Sequence, residues 1–558
     1  MKRLYILFFI VAMFFSFESI ACTNFLLTKG ATSDGSTMIT YSADAHVLFG
    51  ELYYQPARDY PEGAMIEIIE WDTQKKLGKI KQVRHTYSVV GNMNEHQVSI
   101  GETTYGGRKE LSKFHSGIID YGSLMYITLQ RAKTAREAIE VMGNLVAEYG
   151  YYSSGESISV ADPNEVWIFE IIGKGEGEKG AVWVALKIPD GYVSAHANQA
   201  RITTFPLNDK ENCLYAEDVI SFAKDKGWYD GKDKDFSFSD VYAPVDFGGA
   251  RFCEMRVWAF FRSVNGDMSK YEDYAAGEIK HGGKHDFASN RMPLWIKPDN
   301  KINVQQVMNF MRDHLEGTKF DMTKDIGAGP FEIPYRWRPL TWEANGKKYC
   351  NERATATQQT GFSFVAQARN WLPDPIGGIF WFSVDDANTS VYVPMYCGIT
   401  RVPETYAQGN GDLLDFNWNS AFWVFNWVSN WTYLRYNYIV KDVKIVQKEL
   451  EDKFIAFTPA IDMAAKELYK KDRALGIEFI TDYSVNQGNN TVKRWTELGK
   501  FLMVKYIDGN IKKEKNGKFE RTETGYPVSP NQPGYPEWWY KEIIKQTGNK
   551  FEVKGSSH

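Results

Sequence analysis

Ser19-Ile20-Ala21-Cys22-Thr23-Asn24-Phe25-Leu26-Leu27 is the stretch on which the reading of this chain turns. On its upstream side, Lys2 and Arg3 give a positive start and residues 4–17 form an almost unbroken apolar run. Ser19 and Ala21 put small residues at the two positions that signal peptidase reads. Residues 1–21 are therefore expected to be a signal peptide, cut after Ala21. The run is too short for a membrane span and Glu18 interrupts it; no later segment offers about 18 uninterrupted apolar residues. The mature protein is expected to be exported, periplasmic or extracellular in a bacterium, with no membrane span. On the downstream side, the apolar run Phe25-Leu26-Leu27 enters a strand at once, a turn follows at Ser33-Asp34-Gly35-Ser36, and residues 37–42 read as a second strand.

Cleavage after Ala21 would give Cys22 two functional groups. A free thiol titrates near ~8.5 and a free α-amine near ~7.7–8.0. The amine can take the thiol proton, so nucleophile and base reside in one residue without a histidine. A competing reading is a lipid-attachment cysteine on a non-enzymatic, membrane-anchored binding protein. Such cysteines usually follow an aliphatic residue three positions earlier and precede a flexible polar tether. Here Ser19 holds the first position and a strand replaces the tether.

The 558 residues carry a net charge of −5, so there is no basic footprint for nucleic acid. Hydrophobic residues at 43% and charged residues at 24% are ordinary for a globular protein. The aromatic content of 15% reads as large cores. Cys22, Cys213, Cys253, Cys350 and Cys397 include no Cys-x-x-Cys pair, so they suggest no zinc site. The four besides Cys22 can pair in three ways or not at all. His281 and His285 sit in a glycine-containing segment that makes a poor helix, and no metal site is assigned there.

Further hairpins are expected at 157–161 with 166–172, at 181–188 with 192–195, and at 378–383 with 390–396. Thr134 and Glu137 have capping-box spacing, and Ile139, Met142, Leu145 and Val146 follow at helical spacing up to Gly150. Asn303 can cap a helix carrying Val304, Val307, Met308, Met311 and Leu315 on one face, ending at Gly317. Grouped helices between antiparallel hairpins indicate an α+β fold. Residues 22–412 are taken as the catalytic domain and 413–558 as a mostly helical C-terminal appendage.

Cys22-Thr23-Asn24-Phe25-Leu26-Leu27, Asp34-Gly35-Ser36-Thr37-Met38-Ile39 and Asp44 resemble the start of the bacterial dipeptidases among the cysteine-type N-terminal-nucleophile (Ntn) hydrolases, relatives of penicillin V and bile-salt acylases. Gly91-Asn92-Met93-Asn94-Glu95-His96, Glu156-Ser157, Ala161-Asp162-Pro163, Val166-Trp167, the stretch from Ser194 to Ile202 and the stretch from Gly249 to Trp258 resemble further blocks in the same order. The resemblance implies a four-layer αββα sandwich and amide hydrolysis at dipeptides, with a free substrate amine favoured, through an acyl-enzyme. It implies no cofactor or metal and leaves a homo-oligomer open. Residue by residue, it places Cys22 as nucleophile, Asp44 as the acid at the catalytic amine, Asn94 in the oxyanion hole, Asn198 as a second pocket asparagine and Arg251 as the pocket arginine, with Arg256 the competing alignment. Tyr41 stands where the family often has arginine, three residues before the aspartate. An acylase on a bile-salt or penicillin-type amide is the alternative activity.

Overall fold

The computed structural model describes residues 22–112 and 116–555. The expected signal peptide lies outside them. The sheet strands are β1 (Asn24–Leu27), β2 (Thr37–Asp44), β3 (Tyr54–Gln55), β4 (Val89–Val90), β5 (Met93–Asn94), β6 (Ser99–Tyr105), β7 (Gly155–Ala161), β8 (Val166–Gly173), β9 (Ala181–Lys187), β10 (Val193–His196), β11 (Cys213–Tyr215), β12 (Trp295–Ile296), β13 (Thr360–Ala368), β14 (Ile379–Val384) and β15 (Val393–Tyr396). They form a seven-stranded sheet, β12-β10-β1-β2-β13-β14-β15, and an eight-stranded sheet, β11-β9-β8-β7-β6-β5-β4-β3. Every pairing within them is antiparallel.

Strand β1 is buried on both faces, which is why its sequence is apolar rather than alternating. Phe25 stacks on Phe260 of the helix Met255–Val264, with ring centroids 4.3 Å apart. Cys22, an odd number of residues away, points to the opposite face, toward the eight-stranded sheet. Glycine at position 101 of β6 is required there, because a Cβ would come within 2.9 Å of Asn24 and 3.2 Å of Tyr41. The outer face of the eight-stranded sheet is covered by α1 (Tyr121–Leu129) and α2 (Ala135–Tyr149), packed on Ile158, Trp167, Phe169 and Ile171. Thr134 caps α2 through the Glu137 N–H, and Gly150 ends it at φ +77°.

Three of the four expected hairpins are paired as read. The third is not a hairpin. Pro189-Asp190-Gly191 carries the chain out of β9 in one sheet and into β10 in the other, because β9 pairs with β8 and β11 whereas β10 pairs with β1 and β12. A sheet-changing turn has the same local chemistry as a hairpin turn, so the sequence does not distinguish them. The helix capped by Asn303 stops at Phe310, short of the expected Gly317.

Residues 413–558 are largely helical, with Ala421–Leu434, Tyr436–Lys471, Arg473–Tyr506 and Glu537–Thr547. Asp472 breaks the long hairpin and caps its second arm. These helices share a core with the sheets. Phe425 packs on Trp495, and buried Arg312–Glu451 and Arg369–Asp462 ion pairs cross the junction. Each loses its hydration on burial, so the partners depend on one another to stay charged. All five cysteines are free thiols.

Candidate active site

Cys22 lies at the mouth of β1, fully buried. Its Sγ is 3.8 Å from the Tyr41 hydroxyl and 3.7 Å from Glu102 Oε1 on β6. The Tyr41 hydroxyl donates a short hydrogen bond to the same Glu102 oxygen. Tyr41 and Asp44 are three residues apart on β2, which alternation alone would send to opposite faces. The pairing with β13 shifts register between Ala43 and Asp44, and that irregularity turns Asp44 back into the site. The Asp44 carboxylate accepts from Arg353 Nη2 at 2.6 Å, Thr360 Oγ1 at 2.6 Å and Ser42 Oγ at 3.3 Å. Toward Cys22 it acts through its charge and through its main-chain N–H, which faces the thiol.

The Cys22 main-chain nitrogen donates to Asn198 Oδ1 at 2.9 Å. Asn198 follows β10 at φ +59°, a left-handed conformation that asparagine tolerates. Its Nδ2 donates to Thr104 O at 2.7 Å, tying the turn to the end of β6. Arg256 completes the frame. Its Nη1 donates to Cys22 O and, at 2.8 Å, to Thr23 Oγ1, while Nη2 donates to Asn198 Oδ1 at 2.8 Å. A single amide oxygen thus receives both the Cys22 nitrogen and a guanidinium.

Burial pushes the Cys22 thiol well above its ordinary value, and the negative charges of Glu102 and Asp44 push the same way; the Asp44 N–H and Tyr41 hydroxyl oppose them. The site therefore favours the neutral thiol over the thiolate. Burial also raises the Glu102 carboxyl, and Glu156 beside it is raised further, by burial and then by the Glu102 charge. One proton shared by this pair is the outcome that avoids two adjacent buried charges. Burial lowers Arg256 to about 10, with Arg353 contributing, so it stays cationic near neutral pH. His196 is lowered to about 3 by burial and sits neutral between Thr103 and Ser159.

Cys22 opens onto a cavity of about 230 Å³ that is also lined by Tyr41, Asp44, Asn92, Trp71, Asp72 and Tyr121. Pockets for drug-sized ligands run to roughly 300–1,000 Å³, so this one suits something smaller. A buried thiol, a hydrogen-bonded main-chain nitrogen at the same residue and a small cavity over the sulfur are an arrangement that amide cleavage by a cysteine can use.

The family model for peptidase family C69 matches residues 21–449. The chain belongs to peptidase family C69. It is a hydrolase of the cysteine-peptidase class. A probable dipeptidase of Latilactobacillus sakei is 24% identical over 412 residues, covering 70% of this chain and 77% of the relative. A probable dipeptidase of Salmonella dublin is 25% identical, covering 68% and 82%. A probable dipeptidase B of Streptococcus pyogenes serotype M1 is 22% identical over 523 residues, covering 90% and 95%.

In this C69 peptidase, Cys22, Tyr41, Asp44, Asn198 and Arg256 come together, whereas Asn94 and Arg251 do not join them. Asn94 Nδ2 donates to Leu129 O and Ala132 O, each at 2.7 Å, and its Oδ1 accepts from the His96 and Val98 N–H groups. That exhausts its donors in holding the end of α1. Asn92, two residues earlier, lines the cavity instead. Arg251 pairs with Glu352 and lies over the Phe320 ring. Arg251 and Arg256 are five residues apart, about 140° around a helix at ~100° per residue, so one can face Cys22 only if the other does not. A π-type turn over Gly249–Glu254 precedes the helix that carries Arg256. Glu102 was not legible in advance. A glutamate in a central strand is unusual, and that is its only signal.

Proposed function

We propose that this C69 peptidase is an exported dipeptidase of the Ntn type, with Cys22 as its N-terminal residue and nucleophile. The observation that carries the reading is the pairing at Cys22: its sulfur opens onto the cavity while its nitrogen is held by Asn198. The family match beginning at residue 21, next to the expected cleavage site, supports export and processing. The names of the C69 relatives support dipeptides as substrates. A four-layer αββα arrangement is supported by the two large sheets, α1 and α2 on one outer face, and the helices Met255–Val264 and Arg473–Tyr506 against the other sheet. Full burial of Cys22 opposes a lipid anchor, since a diacylglyceryl group has no room there.

The geometry gives each residue a task. Freed by cleavage, the α-amine of Cys22 is oriented by Asn198 Oδ1, which is itself held by Arg256 and Thr104. The amine takes the thiol proton as sulfur attacks the substrate carbonyl carbon; a C–S bond forms and the carbonyl electrons move to oxygen. Because the thiol is held high, proton removal and attack go together rather than from a standing thiolate. Asn92 is suited to the oxyanion role expected of Asn94: one N–H goes to Ile100 O at 3.0 Å, leaving a second for the cavity. The amine then gives its proton to the departing nitrogen as the C–N bond breaks. Water cleaves the thioester by the same exchange and restores the thiol. Asp44, Asn198 and Arg256 act as positioning residues.

The test is hydrolysis of a dipeptide panel and of N-acyl amides of the penicillin V and bile-salt type by processed wild type and by Cys22→Ala. Dipeptide cleavage lost in the variant is the expected result. Retained cleavage would end the reading, and preference for N-acyl amides would replace dipeptidase with acylase.

A further inference from the structure

A second and larger cavity backs onto the one over Cys22. Its volume is about 420 Å³, and the aliphatic part of its wall comes from Ile66, Ile68 and Ile69 on the strand Met65–Ile69 and from Ile127 on α1. Leu48, Trp71 and Tyr126 line both cavities, whereas Cys22 lines only the smaller one. These three side chains therefore form the partition between a space of about 230 Å³ that reaches the thiol and a space nearly twice as large that does not.

The partition is built to hold its place. Trp71 stands in the turn after the strand Met65–Ile69, and its N–H donates at 3.0 Å to Oδ2 of Asp120, the N-cap of α1. Its indole stacks on Tyr126 of α1 with ring centroids 4.9 Å apart. Tyr53 packs edge-on against both rings, at 5.0 Å from Trp71 and 5.9 Å from Tyr126. Gly122 permits the close approach to the helix, since a Cβ there would meet Trp71 at 2.6 Å. A ring packed on two others and on a helix does not swing aside for a passing side chain without losing those contacts. The indole is thus a fixed wall, and a hydrophobic pocket with fixed walls separates substrates that differ by one methylene by roughly 10–200-fold.

We infer that Trp71, backed by Tyr126, sets the size limit for one of the two substrate side chains, and that the isoleucine-walled cavity behind it is a latent extension of the same subsite. At that position the substrate class is small residues such as alanine; with the indole removed, a bulky apolar side chain reaches the second cavity. The other substrate side chain does not face this wall and escapes its limit. The inference rests on the reading of Cys22 as the nucleophile of a dipeptidase and adds to it a residue that selects among dipeptides.

The test uses the processed full-length enzyme with Ala-Ala, Phe-Ala and Ala-Phe. By kcat/KM, wild type should cleave one of the two Phe dipeptides less efficiently than Ala-Ala by about tenfold or more. Trp71→Ala should raise the ratio of that substrate to Ala-Ala by about tenfold or more and leave the ratio for the other Phe dipeptide within about threefold of wild type. Each ratio is taken on one preparation, so it does not depend on the fraction folded. Should Trp71→Ala yield no folded protein, Trp71→Phe, with a smaller ring in place, gives a smaller gain in the same direction. Adding Ile66→Trp to Trp71→Ala refills the second cavity and should abolish the gain. Four outcomes overturn the inference: wild type losing less than about tenfold on both Phe dipeptides, an unchanged ratio in the Trp71 variants, equal relief of both Phe dipeptides, or a gain that survives Ile66→Trp. Cys22→Ala runs in parallel: cleavage that survives it defeats the nucleophile reading itself, whereas Cys22-dependent cleavage without the size limit defeats only the role of Trp71.

Discussion

Replacing Asn198 with alanine tests the geometric core of the site. The amide accepts from the Cys22 nitrogen at 2.9 Å and from Arg256 at 2.8 Å, and donates to Thr104 O at 2.7 Å. Only the first of these would orient the proposed base. In the processed enzyme that bond involves an amine that becomes charged as it takes the thiol proton, and a hydrogen bond to a charged group contributes ~1.5–3 kcal/mol. At 1.36 kcal/mol per decade, its loss in the transition state lowers kcat by roughly 10- to 150-fold. The other losses fall on stability. Alanine at φ +59° costs about 1–2 kcal/mol and an unpaired Thr104 carbonyl about 1–3 kcal/mol, so the denaturation midpoint should also drop. Asparagine to aspartate separates the two effects. Aspartate tolerates the left-handed turn and keeps an acceptor on the Cys22 nitrogen, but its charge favours the protonated amine. The acid limb of the kcat–pH profile should therefore move to higher pH in Asn198→Asp. A folded Asn198→Ala within about threefold of wild-type kcat, or an unmoved acid limb in Asn198→Asp, would refute the assignment of Asn198 to the base.

Glu102→Gln removes a charge that holds the thiol up, so alkylation of Cys22 by iodoacetamide should gain its fast, thiolate-dependent rate at lower pH than in wild type. Arg256→Gln should cost kcat, by about 100-fold or more if the guanidinium fixes both Cys22 and Asn198. Arg251→Gln, which removes the Glu352 pair and the stacking on Phe320 away from Cys22, should leave kcat near wild type and lower stability. Asn92→Ala should lower kcat by roughly 10²–10³, the loss seen on removing an oxyanion donor. Asn94→Ala leaves two buried carbonyls unpaired and should show its effect as lost stability, measured by denaturant titration, with the folded fraction still active.

The strand ends and the candidate thiol were legible because both rest on local rules. Cys22 sits between a signal-like run and an apolar strand, Thr134 and Gly150 bracket a periodic helix, and Asp-Pro-Asn between 161 and 165 makes a hairpin. What escaped is set by packing at a distance. Pro189-Asp190-Gly191 changes sheets, and nothing in the turn itself encodes which edge the next strand will find. Asn92 and Asn94 are equivalent in composition, and only the docking of α1 decides which one it consumes. Arg251 and Arg256 differ by helical phase, which the π-type turn before Met255 makes hard to count. Tyr41 in place of the family's arginine is tied to Glu102, which approaches from the other sheet. The two form one unit that no local pattern reveals.

The central claim is that the working enzyme begins at Cys22 with a free amine. Mass spectrometry of the N-terminal peptide of the active, exported protein measures this directly. The account predicts a chain starting at Cys22, with neither acyl nor diacylglyceryl mass on it. An active enzyme that retains Ala21, or one carrying lipid or acyl mass at Cys22, would contradict it.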